Sequence, residues 1–110
     1  MSDSRDMKFD NGKTRYDLLP WRGVEGAARV MTYGAKKYRD NSWRTSVRNP
    51  VPRYYSALIR HLAAFFTGEG FDEESGMHHL DHAMANLLML RELVGDQDYL
   101  EATKKEGDDE

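Results

Sequence analysis

Cysteine is absent from the chain, which excludes a disulfide framework and any thiolate metal site. Long apolar runs are missing as well. No stretch approaches the roughly 20 apolar residues of a membrane span, and the opening MSDSRDMKFD lacks the hydrophobic core of a signal peptide. The expected placement is therefore cytoplasmic, with no membrane partner. An excess of positive charge is also lacking. A net charge of -3, from 16 basic and 19 acidic residues, gives no global field for holding DNA or RNA. No internal repeat and no strand-like alternation of apolar and polar residues appears.

What remains is helical patterning, and the reading is an all-α fold of three main helices plus a short C-terminal one. The 110 residues make a single domain, with 1–7 and 104–110 expected to be flexible. Pro20 opens a helix to about Tyr38, with Val24, Ala27, Ala28, Met31 and Ala35 spaced as one apolar face. Gly34 interrupts it, as a glycine does where a backbone or a ligand approaches closely. Arg39 to Val51 reads as a loop broken by Asn49-Pro50 and Pro52. Pro52 opens the second helix, which runs to about Thr67, and Gly68-Glu69-Gly70 ends it. After an acidic connector the third runs to about Leu93, with Gly95 past its end, and Asp96–Lys105 forms the short fourth.

The third helix is apolar on nearly every side, through Met77, Leu80, Ala83, Met84, Leu87, Leu88, Leu90 and Leu93. Such a helix belongs in the middle of a protein. Three helices of this length cannot enclose it, so a homo-oligomer, at least a dimer, is expected. One stripe of it is polar: Ser75, His79, His82 and Asn86 fall at i, i+4, i+7 and i+11. Buried polar groups in a row need partners, from other side chains or from something bound.

The second helix carries Arg53, Ala57, Arg60, His61 and Ala64 on a separate stripe, either a solvent face or a place for an anion against paired guanidinium donors. Lys36, Lys37 and Arg39 make the end of the first helix basic, which its dipole alone explains. Trp43, in a polar loop beside Arg44, is either a packing anchor or a stacking surface. Asp72 and Glu74 either cap the next helix or meet His79 and His82 around a divalent cation. The i,i+3 pair His79 and His82 can ligate one metal, oriented by His78 or Asp81, or can be hydrogen-bonded structure.

Several chemistries are excluded. Gly12-Lys13-Thr14 lacks the preceding glycine of a P-loop, since position 7 is Met. HExxH is missing, as is the GxSxG nucleophile elbow. The run His78-His79-Leu80-Asp81-His82 contains no His-Asp dipeptide.

An ordered set of segments nevertheless stands out. It comprises Lys8-Phe9-Asp10-Asn11-Gly12-Lys13 with Arg15; Asp17-Leu18-Leu19-Pro20; Tyr33-Gly34-Ala35-Lys36-Lys37-Tyr38 with Asn41 and Trp43; Arg60-His61-Leu62; Gly68-Glu69; Asp72; Glu74-Ser75-Gly76; and His79-Leu80 with His82-Ala83 and Asn86. In this set the chain resembles the phage-borne dATP/dGTP diphosphohydrolase N-terminal-domain family. The resemblance implies a MazG-like helical bundle, a purine deoxynucleotide ligand, Mg²⁺, and work in the cytoplasm of an infected bacterium. MazG-like enzymes carry EExxE on one helix and ExxD on the next. Here Glu25 is followed by Gly26, and the one ExxD spacing, Glu69 to Asp72, lies in the glycine-rich connector.

Two functions follow as expectations. The first is a Mg²⁺-dependent hydrolase splitting a purine (deoxy)nucleoside triphosphate into monophosphate and pyrophosphate. Glu25, Glu69, Asp72 and Glu74 would hold the metal. Glu74, His79 and His82 would serve catalysis. Lys13, Arg15, Lys36, Lys37, Arg53, Arg60, His61 and Asn86 would bind the nucleotide, with Tyr38 or Trp43 stacking its base. The second is a non-catalytic nucleotide-binding sponge that sequesters a signalling nucleotide and needs no metal. A purely structural oligomeric module is the third reading.

Overall fold

The computed structural model describes residues 12–98 and 100–101. The motif residues Lys8 to Asn11 and both expected flexible ends lie outside the described residues. A 3₁₀ turn, Tyr16–Leu18, precedes helix α1, Trp21–Lys37. Then come a short helix α2, Ser42–Thr45, helix α3, Pro50–Phe66, and helix α4, His79–Val94. The fold is all-α, and the one β feature among the described residues is an isolated bridge between Phe71 and His78.

The elements start and stop where local chemistry requires. Pro20 precedes α1, and its carbonyl takes the N–H groups of Gly23 and Val24. Lys36 and Lys37 occupy the last turn, where a cation meets the negative end of the helix dipole. The expected loop from Arg39 to Val51 is shorter than the composition suggested. Asn41 and Asn49 both adopt left-handed backbone (φ 59° and 51°), and each stands immediately before a helix. The short helix lies here rather than only at the C-terminus. Helix α3 begins at Pro50, not Pro52, because the first turn of a helix has no use for the N–H groups that prolines lack. At the C-terminal end Leu100 and Glu101 are helical, and Asp98 accepts the Glu101 N–H; the remainder of the expected final helix lies outside the described residues.

Between α3 and α4 the connector closes on itself. The His79 N–H donates to the Gly70 carbonyl (2.9 Å), and the Asp72 N–H donates to that of Met77 (2.8 Å). Gly76, at φ 74°, supplies the tight turn inside this ring. Helix α4 therefore starts at His79, and Ser75 stands in the ring rather than on the helix. Neither Asp72 nor Glu74 caps α4. His78 does, its Nδ1 accepting the Leu80 N–H at 3.0 Å.

Helix α4 packs against α3 and α1, and the core is built of small residues: Ala27, Val30, Val51, Ala83 and Ala85. Gly26 of α1 lets Asp81 of α4 come close, since a Cβ there would meet the Asp81 carboxylate at 2.1–2.7 Å. At Gly34, read as a place for a close backbone or a ligand, a Cβ would meet nothing within 4 Å, so no backbone among the described residues packs there; the residue faces a cavity instead. One chain leaves α4 unenclosed, as its apolar girth led one to expect. Leu80, Met84, Leu87 and Leu88 are 39–54% exposed, and of its apolar residues only Ala83 and Ala85 are buried.

Candidate functional site: a histidine cluster at the end of an aromatic cavity

A cavity of about 860 Å³ opens between the C-terminal half of α1, helices α2 and α3, the 70–79 ring and α4. That volume is in the range of small-molecule pockets. One part of its wall is aromatic, from Tyr33, Tyr38, Trp43 and Tyr54. Another is polar, from His61, Asp72, Ser75, His82 and Asn86, with Lys37 and Glu74 also on the wall.

The polar part is a network centred on three imidazoles. His61 comes from the middle of α3, His79 from the first residue of α4, and His82 from one turn further along. Nδ1 of His61 and Nδ1 of His79 are 2.8 Å apart. The rings of His61 and His82 stack with centroids 4.4 Å apart and planes 8° from parallel. Nε2 of His82 meets the Ser75 hydroxyl at 2.7 Å, and that hydroxyl accepts the Met77 N–H at 3.1 Å. Asp72 accepts the Ser75 N–H at 2.8 Å. Asn86 is buried and donates to the His82 carbonyl four residues back, so its amide is partly satisfied within its own helix.

His79 is 5% exposed, and its Nε2 is buried with no hydrogen-bond partner. The Glu69 carboxylate lies 3.8 Å from it, too far for a hydrogen bond. A buried polar atom left unpaired costs about 1–3 kcal/mol. Burial, then the neighbouring His82 and His79, pushes the His61 pKa below the ordinary imidazole value. Burial does the same to His82, partly opposed by the Asp72 charge. Asp72 is held below the usual carboxylate range, chiefly by the Ser75 N–H it accepts. At neutral pH this end of the cavity thus combines an ionised carboxylate with two neutral imidazoles, which can accept protons or ligate a metal.

Of the residues picked from the sequence, Lys37, Tyr38, Trp43, His61, Asp72, Glu74, His82 and Asn86 line the cavity, and His79 touches it through His61. Lys37 ion-pairs with Glu74, and its pKa is raised, mainly by that bond and then by Tyr38. Others are absent from the wall. Lys13, Arg15, Lys36, Arg53 and Arg60 are exposed elsewhere, and Arg15 binds Asp17. Glu25 pairs with Arg29 one turn along the exposed face of α1. The stripe proposed on α3 divides accordingly: His61, Ala57 and Ala64 are half-buried while both arginines face out.

The four acidic residues expected to cradle Mg²⁺ do not gather. Among the described residues, the one grouping of three metal-ligating side chains is His61, Asp72 and His79, whose ligand atoms lie within 4.8 Å of one another. Two aromatic wall residues were not picked as site residues from the sequence. Tyr33 stands one turn before Lys37 on the same face of α1. Tyr54, counted among the apolar face of α3, turns its hydroxyl to the Trp43 carbonyl at 2.9 Å and so holds α2 against α3.

Residues 3–103 match the family model described as dATP/dGTP diphosphohydrolase, N-terminal. The chain is also 32% identical over 84 residues to a protein of Salmonella phage PMBT28 named dATP/dGTP diphosphohydrolase. That match takes in 76% of this chain but only 28% of the relative's length. No solved structure matches the chain. Extent and identity together place it: the chain belongs to the dATP/dGTP diphosphohydrolase N-terminal family.

Proposed function

We propose that the chain binds a purine deoxynucleoside triphosphate in the cavity and hydrolyses it to the monophosphate and pyrophosphate. The observation that carries this reading is the juxtaposition, in one cavity, of aromatic side chains with a histidine–carboxylate cluster. The relative's name supports it. The base stacks on Trp43 or Tyr38, Lys37 exchanges Glu74 for a phosphate oxygen, and neutral His82 takes the proton of an attacking water. The ligand is a free nucleotide rather than DNA or RNA, and the site of action is the cytoplasm of a phage-infected bacterium.

The fit to magnesium is poor. Mg²⁺ prefers carboxylates and water in octahedral array, whereas Glu25 and Glu74 are engaged by Arg29 and Lys37 and the gathered donors are two imidazoles and one carboxylate. This observation also favours the second reading, a non-catalytic nucleotide-binding module. Incubation with dGTP or dATP, with and without MgCl₂, followed by pyrophosphate measurement separates the two. Release of pyrophosphate supports hydrolysis. Binding of nucleotide without release at high protein concentration supports the sequestering module.

The assembly belongs to this reading as well. The exposed stripe Leu80, Met84, Leu87 and Leu88 falls at i, i+4, i+7 and i+8 of α4, the spacing of a single helix face. A second copy covering it gives the expected homo-oligomer, in the manner of a MazG-like bundle.

A further inference from the structure

We infer that His61, His79 and Asp72 form a binding site for a borderline transition-metal dication such as Zn²⁺ or Co²⁺, with Glu69 as the outer partner of His79. This deepens the nucleotide reading at the polar end of the same cavity, yet it stands on separate observations and is tested without nucleotide.

The first observation is the facing pair of ring nitrogens. Two imidazole Nδ1 atoms at 2.8 Å share a single proton at most, one as donor and one as acceptor. Two imidazoles bound to one ion at about 2.0–2.1 Å stand roughly 3.0–3.4 Å apart, depending on the bond angle. The rings therefore need to part by only a few tenths of an ångström to admit an ion.

The second observation is His79 Nε2, buried and unpartnered. Neither metal-free tautomer satisfies it. If His61 donates to His79, Nε2 carries a buried hydrogen with no acceptor. If His79 donates, Nε2 is a buried lone pair with no donor. A metal between the two Nδ1 atoms leaves both rings protonated on Nε2, and the His79 N–H then points toward the Glu69 carboxylate, now 3.8 Å away. A carboxylate behind a ligating histidine is the usual way such a ring is oriented and made more basic.

The third is the donor set. Two imidazoles and one carboxylate suit Zn²⁺, Co²⁺ or Fe²⁺ better than Mg²⁺. Asp72 accepts the Ser75 N–H, and its carboxylate offers an oxygen within 4.8 Å of a ring nitrogen of each histidine. His82, stacked on His61, holds that ring in place. Three protein ligands leave a further position open, and two of them, His61 and Asp72, line the cavity.

The experiment uses the whole chain, stripped with chelator and titrated with ZnCl₂, CoCl₂ and MgCl₂ by calorimetry, with the visible absorption of Co²⁺ as a second signal. The expected result is one Zn²⁺ or Co²⁺ per chain, with Mg²⁺ at least about a hundredfold weaker. His61→Gln and Asp72→Asn should each abolish the Co²⁺ bands. Glu69→Gln, at an exposed position that does not threaten the fold, should weaken Co²⁺ about 10- to 100-fold while the circular dichroism stays unchanged. Binding of neither Zn²⁺ nor Co²⁺, or binding unchanged in His61→Gln and Asp72→Asn, overturns the site. Nucleotide binding, measured on the same stripped protein, reports separately on the proposed function.

Discussion

The carboxylate of Asp81 occupies the space that a side chain on residue 26 would need. A Cβ at Gly26 would lie 2.1 Å from Oδ1 of Asp81, closer than any real contact allows. Gly26→Ala should therefore destabilise the fold by about 1–3 kcal/mol, the usual cost of overpacking. The double variant with Asp81→Ala should recover most of that loss. Gly34→Ala, in the same helix and facing open space, should instead stabilise by about 0.5–1 kcal/mol. Urea denaturation of the wild type and the three variants checks the set. A Gly26→Ala protein as stable as Gly34→Ala would mean that Asp81 moves aside freely.

Trp43 is proposed as the stacking surface for the base. An aromatic platform for a base contributes about 1–3 kcal/mol, so Trp43→Ala should weaken dGTP binding roughly 5- to 150-fold. Inorganic triphosphate, having no base to stack, should bind wild type and variant alike. Equal loss for both ligands would point to collapse of the short helix instead.

Lys37 is exposed and ion-paired, so its pair with Glu74 contributes little to stability, as surface pairs ordinarily do. Its charge at the cavity wall matters for a phosphate. Lys37→Met should leave the melting temperature nearly unchanged and weaken triphosphate binding about tenfold, measured by calorimetry at low salt. Wild-type affinity in the variant would place the phosphates elsewhere.

The metal-free protein should lose stability on acidification. His61 and His82 have folded pKa values below the ordinary imidazole value of about 6.5. Their contribution is complete above about pH 6.5. Below it the unfolded chain takes up protons first and stability falls, levelling off only beneath the folded values. Urea midpoints at pH 7.5, 6.5 and 5.5 should decline in that order, and His82→Gln should flatten the trend. A midpoint that rises toward pH 5.5 would contradict the burial of these rings.

Self-association through α4 is open to a direct check. Replacing Leu87 and Leu88, each about half exposed, by Lys should give a monomer by light scattering while leaving the helical content intact. A wild-type protein that is already monomeric at tens of micromolar would remove the proposed interface.

The three long helices were legible in the sequence because their apolar residues recur every three or four positions and glycines close two of them. Helix α2 was not, since four residues carry less than a full period and the surrounding polar composition reads as loop. The onset of α4 was missed because the patterning upstream of His79 continues helically while Gly76 bends the chain out of it. As for the site, His61, His79, His82 and Asp72 were all picked out. Ser75 stands beside His82, but from the ring and not as part of the helix face that the spacing implied, and their hydrogen bond to each other was not foreseen. The dispersed cations Arg53 and Arg60 show the limit of such reading. A stripe on a helical wheel fixes which residues share a face, but not where the edge of the neighbouring helix falls.

The closed ring between α3 and α4 has a mechanical consequence. Its ties from Gly70 to His79 and from Asp72 to Met77 set the spacing of Asp72 and His79 over ten residues of local chain. Breathing of the helices against one another leaves that spacing alone. His61 arrives from α3, so its distance to His79 follows the helix separation directly. The cluster works like a calliper with one jaw fixed to the ring and the other riding on α3, and whatever closes its 2.8 Å gap or spreads it registers the position of a whole helix.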